Sequence, residues 1–175
     1  MRLETDKVKI ESFMAAMGKQ VQGKGCIYFA GGATAVLYGW RSMTIDVYIK
    51  PEPELAGLFE AIALLKEELD MNVELACPDQ FIPAIPGWRE RSLFIGIYGL
   101  IDFLHYDPYG QALAKLQRGH ERDLLDAQSL LRHGLIRMER LRELFSTIEP
   151  QLIRYPAIDP EEFRTAVTKF YNENR

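Results

Sequence analysis

The chain has 175 residues, 47% of them hydrophobic, with a formal net charge of -4 and a pI near 5.5. This length and composition suit one sizeable domain, or one domain with a helical appendage, and they exclude a chain that is disordered throughout. The acidic balance gives no general attraction to nucleic acid or to an anionic membrane, so an RNA partner would need a local basic patch.

Cysteine usage and the N-terminal sequence bear on the compartment. The two cysteines, Cys26 and Cys77, form no Cys-x-x-Cys pair or zinc-type cluster, which indicates free thiols in a reducing compartment. The first seven residues mix both charges and lead into no apolar signal core, and no apolar run reaches membrane-spanning length. We therefore expect a cytoplasmic protein without membrane attachment.

Up to residue 107, helical and strand-like patterns alternate. Apolar residues at helical spacing predict a first helix within 4–22 and a longer amphipathic one over about 53–69, which we expect to be a crossover helix. A proline-rich loop is predicted from 78 to 88. Strand-like runs occur at 26–30, 44–50, 71–76, 92–98 and 100–105.

From residue 108 onward the pattern is wholly helical. Helices are predicted at 108–118, 120–133, 137–149 and 160–172, separated by glycines and prolines. Strands first and helices last indicate the α+β class, with a mixed-sheet core over 1–107 and a helical C-terminal part over 108–175.

The stretch from Cys26 to Lys50 carries the strongest chemical signal. Gly31 and Gly32 follow an apolar strand and precede a short helix, so their backbone amides can form a cradle for an anion. Asp46 lies in an apolar, β-branched strand, where a carboxylate is costly unless a metal, a partner or water meets it. This combination indicates metal-assisted phosphoryl chemistry.

The same stretch resembles the nucleotidyltransferase superfamily with the DNA polymerase β-like fold. It is most similar to the small bacterial branch that includes abortive-infection type toxins, in which Gly-Gly-x-x-Ala precedes Arg-x-x-Thr-x-Asp-x-Asp. The residues that match are Gly31, Gly32, Ala35, Arg41, Thr44 and Asp46. Tyr48 departs from the pattern, since it occupies the position of the second aspartate, and a phenol is a poor magnesium ligand at neutral pH.

The resemblance implies a magnesium site held by Asp46 and by Asp102, an acid in an apolar strand that matches the family's third carboxylate. We expect these two acids on neighbouring strands, facing one cleft. Glu74 is an alternative ligand from the third strand, although an exposed strand glutamate is the favoured interpretation. His105 and His120 lack metal-ligand spacing, so ordinary polar roles are expected.

The resemblance also implies residues that bind the triphosphate. Gly31, Gly32, Thr34 and Arg41 belong to the cradle, and a Gly32→Val variant is expected to fold but not to bind. In the helical part, Lys115 and Arg122 match a family pattern of lysine followed by arginine. Lys115 would meet phosphate as a mobile charge, while Arg122 and Asp126 could instead pair with each other.

Two functions remain open from the sequence. The first is an enzyme that transfers a nucleoside monophosphate from a nucleoside triphosphate to a hydroxyl of RNA, protein or a small molecule. The second is a catalytically degenerate relative that binds a nucleotide or a partner protein, within a toxin-antitoxin or defence pair. Tyr48 discriminates between them, because losing one metal carboxylate weakens the magnesium site.

Overall fold

The structure, a computed structural model, describes residues 3–175. The chain divides into two compact units: one contains the chain up to Cys77 together with Ser92–Tyr106, and the other contains Pro78–Arg91 and Asp107–Arg175. The predicted boundary after residue 107 therefore needs a correction, because Pro78–Arg91 belongs with the helical part. Arg91 connects this segment to the helical part, since its guanidinium donates to the Asp107 carboxylate at 2.7 and 3.0 Å.

The first unit is built on one five-stranded mixed sheet, which confirms the α+β prediction. The order is β3-β2-β1-β5-β4. The pairs β1–β2 and β4–β5 are antiparallel, whereas β1–β5 and β2–β3 are parallel. The strands are β1 (Gly25–Ala30), β2 (Asp46–Glu52), β3 (Asn72–Glu74), β4 (Leu93–Tyr98) and β5 (Ile101–His105).

Three helices belong to this unit: α1 (Lys7–Gln20), α2 (Gly32–Tyr38) and α3 (Leu58–Glu68). The side chain of Asp6 caps α1 by accepting from the Lys9 amide at 2.9 Å. Helix α3 connects the parallel strands β2 and β3, as a crossover helix must. It begins at Leu58 rather than near residue 53, because Gly57 in the left-handed conformation (φ 81°) forms its N-cap.

Alternation along the strands separates two faces of the sheet. Val47 and Ile49 of β2 are buried in the hydrophobic core, together with Phe13 and Met17 of α1. Since side chains along a strand alternate, Asp46 and the other even-numbered residues of β2 lie on the opposite face. We call this second face the polar face.

The second unit is helical, with α4 (Trp88–Arg91), α5 (Pro108–Arg118), α6 (Glu121–Arg132), α7 (Met138–Ile148) and α8 (Pro160–Asn174). The last four agree with the predicted helices to within about two residues at each end, as expected of strongly periodic segments with clear caps. Asp107 and Asp159 cap α5 and α8, and Gly119 ends α5 in the left-handed conformation. Within residues 3–175, no helix has both the length and the apolar character needed to cross a membrane.

Candidate functional site

The Gly31-Gly32 turn joins β1 to α2. Gly31 has φ 67°, in the left-handed region that favours glycine. A Cβ at Gly31 would also lie 3.1 Å from Cδ2 of Tyr48. The ring of Tyr48 therefore lies against the turn.

Gly32 is glycine for a packing reason. A Cβ at this buried position would lie 2.0 Å from Oγ1 and 2.6 Å from Cβ of Thr44, distances that no relaxed structure tolerates. The expectation that Gly32→Val leaves the protein folded stays a prediction, but this contact makes the substitution costly to stability. The cradle role of the two glycines remains a prediction, but its test needs another substitution.

The segment before Asp46 is fixed by the backbone. Thr44 exchanges two hydrogen bonds with Thr5, at 2.7 and 2.9 Å. The Thr44 hydroxyl also donates to the carbonyl oxygen of Asp46 at 3.1 Å. Asp46, the first residue of β2, is thus held next to the Gly31-Gly32 turn through Thr44.

A second carboxylate lies beside Asp46, on β3. The β2–β3 register pairs Asp46 with Asn72 and Tyr48 with Glu74. The side-chain amide of Asn72 donates to Asp46 Oδ1 and, at 3.1 Å, to Glu74 Oε1. One amide nitrogen therefore connects both carboxylates on the polar face, and we call Asp46, Asn72 and Glu74 the carboxylate cluster.

Asp102 is not part of this cluster, and the predicted pairing of Asp46 with Asp102 is wrong. Strand β1 lies between β2 and β5, so the two acids are not on neighbouring strands. Asp102 pairs with Cys26, and Cys26 pairs with Glu52 at the far end of β2. Asp46 precedes Glu52 by six residues (52 minus 46), which is about 20 Å along the strand.

The surroundings of Cys26 agree with this register. Burial raises the pKa of the Cys26 thiol, and the nearby carboxylates of Asp102 and Glu52 raise it further, against a hydrogen bond with Tyr28 that lowers it. Asp102 thus shares its row of the sheet with Cys26 and Glu52. Asp102 was predicted to be a ligand because it is an acid in an apolar strand. This pattern does not indicate which residues of the neighbouring strands lie beside it.

The structure describes the surroundings of two further predicted cradle residues, Thr34 and Arg41. Thr34 is only 2% exposed, and its hydroxyl lies 2.9 Å from Nδ1 of His105. This hydroxyl forms its hydrogen bond inside the unit, which contradicts its predicted contact with phosphate. Arg41 is half-buried in the turn after α2, where its amide donates to the Ala35 carbonyl at 3.3 Å.

The predicted phosphate ligand Lys115 is an internal residue of the second unit. It is 7% exposed, and its ammonium lies 2.9 Å from Oδ2 of Asp126 and 4.0 Å from Oδ1 of Asp123. The prediction of a mobile charge is therefore wrong. Asp126 pairs with Lys115, whereas Arg122 is exposed on α6.

His105 is buried within the first unit, whereas the sequence predicted only an ordinary polar role for it. It ends β5 at 6% exposure, with the Tyr38 ring centred 4.7 Å from its own. Burial lowers the pKa of His105 to about 4. The imidazole is therefore neutral at pH 7, and its Nδ1 forms a buried hydrogen bond with the Thr34 hydroxyl.

Asn72 is the site residue that sequence reasoning missed. A signal existed, because Asn72 and Glu74 are two residues apart in a strand and hence share a face. What the sequence could not show is that this face lies beside Asp46, since the pairing of β3 with β2 is a long-range contact.

The carboxylate cluster provides two carboxylates and one amide. Among residues 3–175, no group of three or more histidine, cysteine, aspartate or glutamate side chains is arranged to hold a metal. No family model, curated protein or solved structure matches the chain. The case for a function therefore depends on the cluster itself.

Proposed function

We propose that this protein is a nucleotidyltransferase-like enzyme that binds magnesium and a nucleoside triphosphate at the carboxylate cluster, and transfers the nucleoside monophosphate to a hydroxyl. The observation that carries the proposal is the shared Asn72 amide, which brings Asp46 and Glu74 together next to the Gly31-Gly32 turn. Asp46 keeps its predicted role, and Glu74 takes the role first given to Asp102.

The donor set fits one magnesium ion. Carboxylate and amide oxygens are the hard ligands that magnesium prefers, and it commonly keeps several waters besides one or two carboxylates. Asp46 and Glu74 would hold the ion, and a half-turn of the Asn72 amide would present its oxygen. When bound, magnesium would supply positive charge to the phosphate oxygens.

The chain's own residues supply position. Thr44 fixes the start of β2 through its hydrogen bonds to Thr5 and to the Asp46 carbonyl. This support fixes the backbone of Asp46, and the Asn72 amide, which donates to Oδ1, orients its carboxylate. Positioning of this kind is the main contribution a protein makes to phosphoryl transfer. The acceptor is a hydroxyl of RNA, protein or a small molecule.

A second function, a degenerate module that binds a nucleotide or an antitoxin-like partner, is favoured by Tyr48. Its ring lies against Gly31, beside the residue that starts the helix. An aromatic ring there is suited to stacking or packing, and it gives no charge to a metal.

The experiment measures magnesium binding by calorimetry and the transfer of label from nucleoside triphosphates to RNA and to the protein itself. Asp46→Asn and Glu74→Gln should each abolish transfer and weaken magnesium binding by about tenfold or more, because each removes a ligand charge. Asp102→Asn is the matched control and should leave both unchanged.

Tyr48→Asp tests the alternative function. It adds a carboxylate opposite Glu74 on the polar face, so magnesium affinity and transfer should both rise if the site is an enzyme's. Loss of transfer in Asp102→Asn but not in Glu74→Gln would contradict the assigned site. Nucleotide binding without transfer, by wild type and by Tyr48→Asp alike, would establish the binding module.

A further inference from the structure

The two edge strands of the sheet differ in the features that prevent pairing with another chain. At one edge, β3 is only three residues long. At the other edge, β4 has six residues, and no charged residue occurs between Arg91 and Asp102. Edge strands of soluble proteins are usually short or carry charges or prolines that prevent pairing with another chain. The edge at β4 is neither short nor charged, and its protection is limited to one bulge between Phe94 and Gly96.

The exposed side chains of β4 form an apolar stripe. Phe94 is 61% exposed and Ile97 is 64% exposed. They pair with Leu104 and Asp102 of β5, which are two residues apart and share the polar face. A bulge between Phe94 and Gly96 inserts one extra residue, so the two apolar side chains lie on the same face although they are three residues apart. Leu100, in the turn that follows, is 56% exposed and extends the stripe.

We propose that β4 pairs with β4 of a second copy of this chain, antiparallel and about a two-fold axis, to form a continuous ten-stranded sheet. An axis between Ile95 and Gly96 pairs Phe94 of one copy with Ile97 of the other, and Ile95 with Gly96. Each larger side chain then faces a smaller one, and the same contacts occur twice, as a two-fold interface requires.

The composition of the strand favours a second copy as the occupant. A strand without charge offers nothing that selects a partner of opposite charge, and nothing in it repels an identical strand. In the register about the two-fold axis, the larger side chains of one copy also face smaller side chains of the other. A six-residue strand pair buries less than the roughly 800 Å² per partner of a standard stable interface, so we expect a weak, concentration-dependent dimer.

Sedimentation equilibrium of the intact protein over a wide concentration range tests the proposal. The wild type should move from monomer to dimer as concentration rises, and Ile97→Lys should raise the dissociation constant about tenfold or more, because the altered pair occurs twice. Ile153→Lys is the matched control: Ile153 is 86% exposed in the second unit, and its change should leave the dimer unaffected. Circular dichroism should show that all variants remain folded.

A mixing experiment tests the register. Phe94→Lys and Ile97→Glu should each weaken self-association. A mixture of the two should form heterodimers, since the ammonium introduced by Phe94→Lys in one copy then faces the carboxylate introduced by Ile97→Glu in the other. Three results would overturn the proposal: a wild type that stays monomeric at every concentration, a dimer unaffected by Ile97→Lys, or variants that do not recover on mixing. Monomeric wild type that captures a strand of another protein would assign β4 to a different occupant.

Discussion

Gly32 and Thr44 define the tightest contact next to the proposed site. Because a Cβ at position 32 would lie 2.0 Å from Thr44 Oγ1, one added methyl group must displace β2 or α2. We expect Gly32→Ala to cost about 1–3 kcal/mol, the usual range for an overpacked core.

Urea denaturation measures this cost, and a double-mutant cycle identifies its cause. In a Thr44→Gly background the Cβ and hydroxyl that clash are gone, so the same Gly32→Ala change should cost clearly less. An equal cost in both backgrounds would show that the clash with Thr44 is not the reason for glycine at position 32.

His105 makes the stability of the first unit depend on pH. Its pKa falls from 6.5 to about 4 on burial, so acid favours the unfolded chain, which takes up the proton first. The stabilisation is fully present above pH 6.5 and is lost as the pH falls toward 4. Between pH 7.5 and pH 5 we expect a loss of about 2 kcal/mol from this residue.

Urea denaturation at the two pH values measures the loss. A His105→Asn variant should lack this part of the pH dependence, whatever its stability at pH 7.5. His120→Gln is the control, since His120 is exposed, and should keep the wild-type pH dependence. The same slope in His105→Asn and in the wild type would contradict the assignment.

At the scale of elements, α5 and α6 are joined by buried charge. Lys115 of α5 contacts Asp126 and Asp123 of α6, and Arg118 donates to Asp123 at 2.5 and 2.8 Å. Burial raises the pKa of Asp123, but Arg118 and Lys115 more than offset this and lower it. These pairs satisfy each other within the second unit, so the charges of Lys115 and Arg118 are accounted for without any phosphate.

Removing one member should therefore be costly. Lys115→Met leaves Asp126 buried without its cation and should destabilise the protein by about 3–5 kcal/mol, whereas Lys115→Met with Asp126→Leu should recover most of that loss. Arg140→Met breaks the exposed pair with Glu143 and, as the control, should cost less than about 1 kcal/mol. Thermal melts of the four proteins compare them, and nucleotide binding retained by the folded double variant would confirm that Lys115 is no phosphate ligand.

At the scale of the whole chain, the elements were predictable and their long-range pairing was not. Hydrophobic periodicity and punctuation by glycine and proline are local signals, which is why the helices from residue 108 onward and the strands around Gly99 could be read from the sequence. The mixed sheet followed from their order.

The candidate site shows what local sequence signals do not determine. Asp46 could be selected from its strand, but its neighbour depends on whether β2 lies beside β3 or β5. Asp102 and Glu74 both look like acids in apolar strands, and only the register decides between them. The prediction for Lys115 is wrong for a similar reason, since its partner Asp126 is on the next helix. The residue type alone does not show that this lysine is buried.

The pairing of β1 has a consequence for the order in which the protein folds. Its partner β2 joins it through Cys26 and Glu52, 26 residues apart, whereas β5 joins it through Gly25 and Ile101, 76 residues apart (101 minus 25). Closing the shorter loop costs less entropy, so we expect β1, α2 and β2 to associate first. Pulse-labelling hydrogen exchange during refolding should then protect the β1–β2 amides before those of β5, so that the strands holding Asp46 and the glycine turn are assembled while half of the sheet is still unformed.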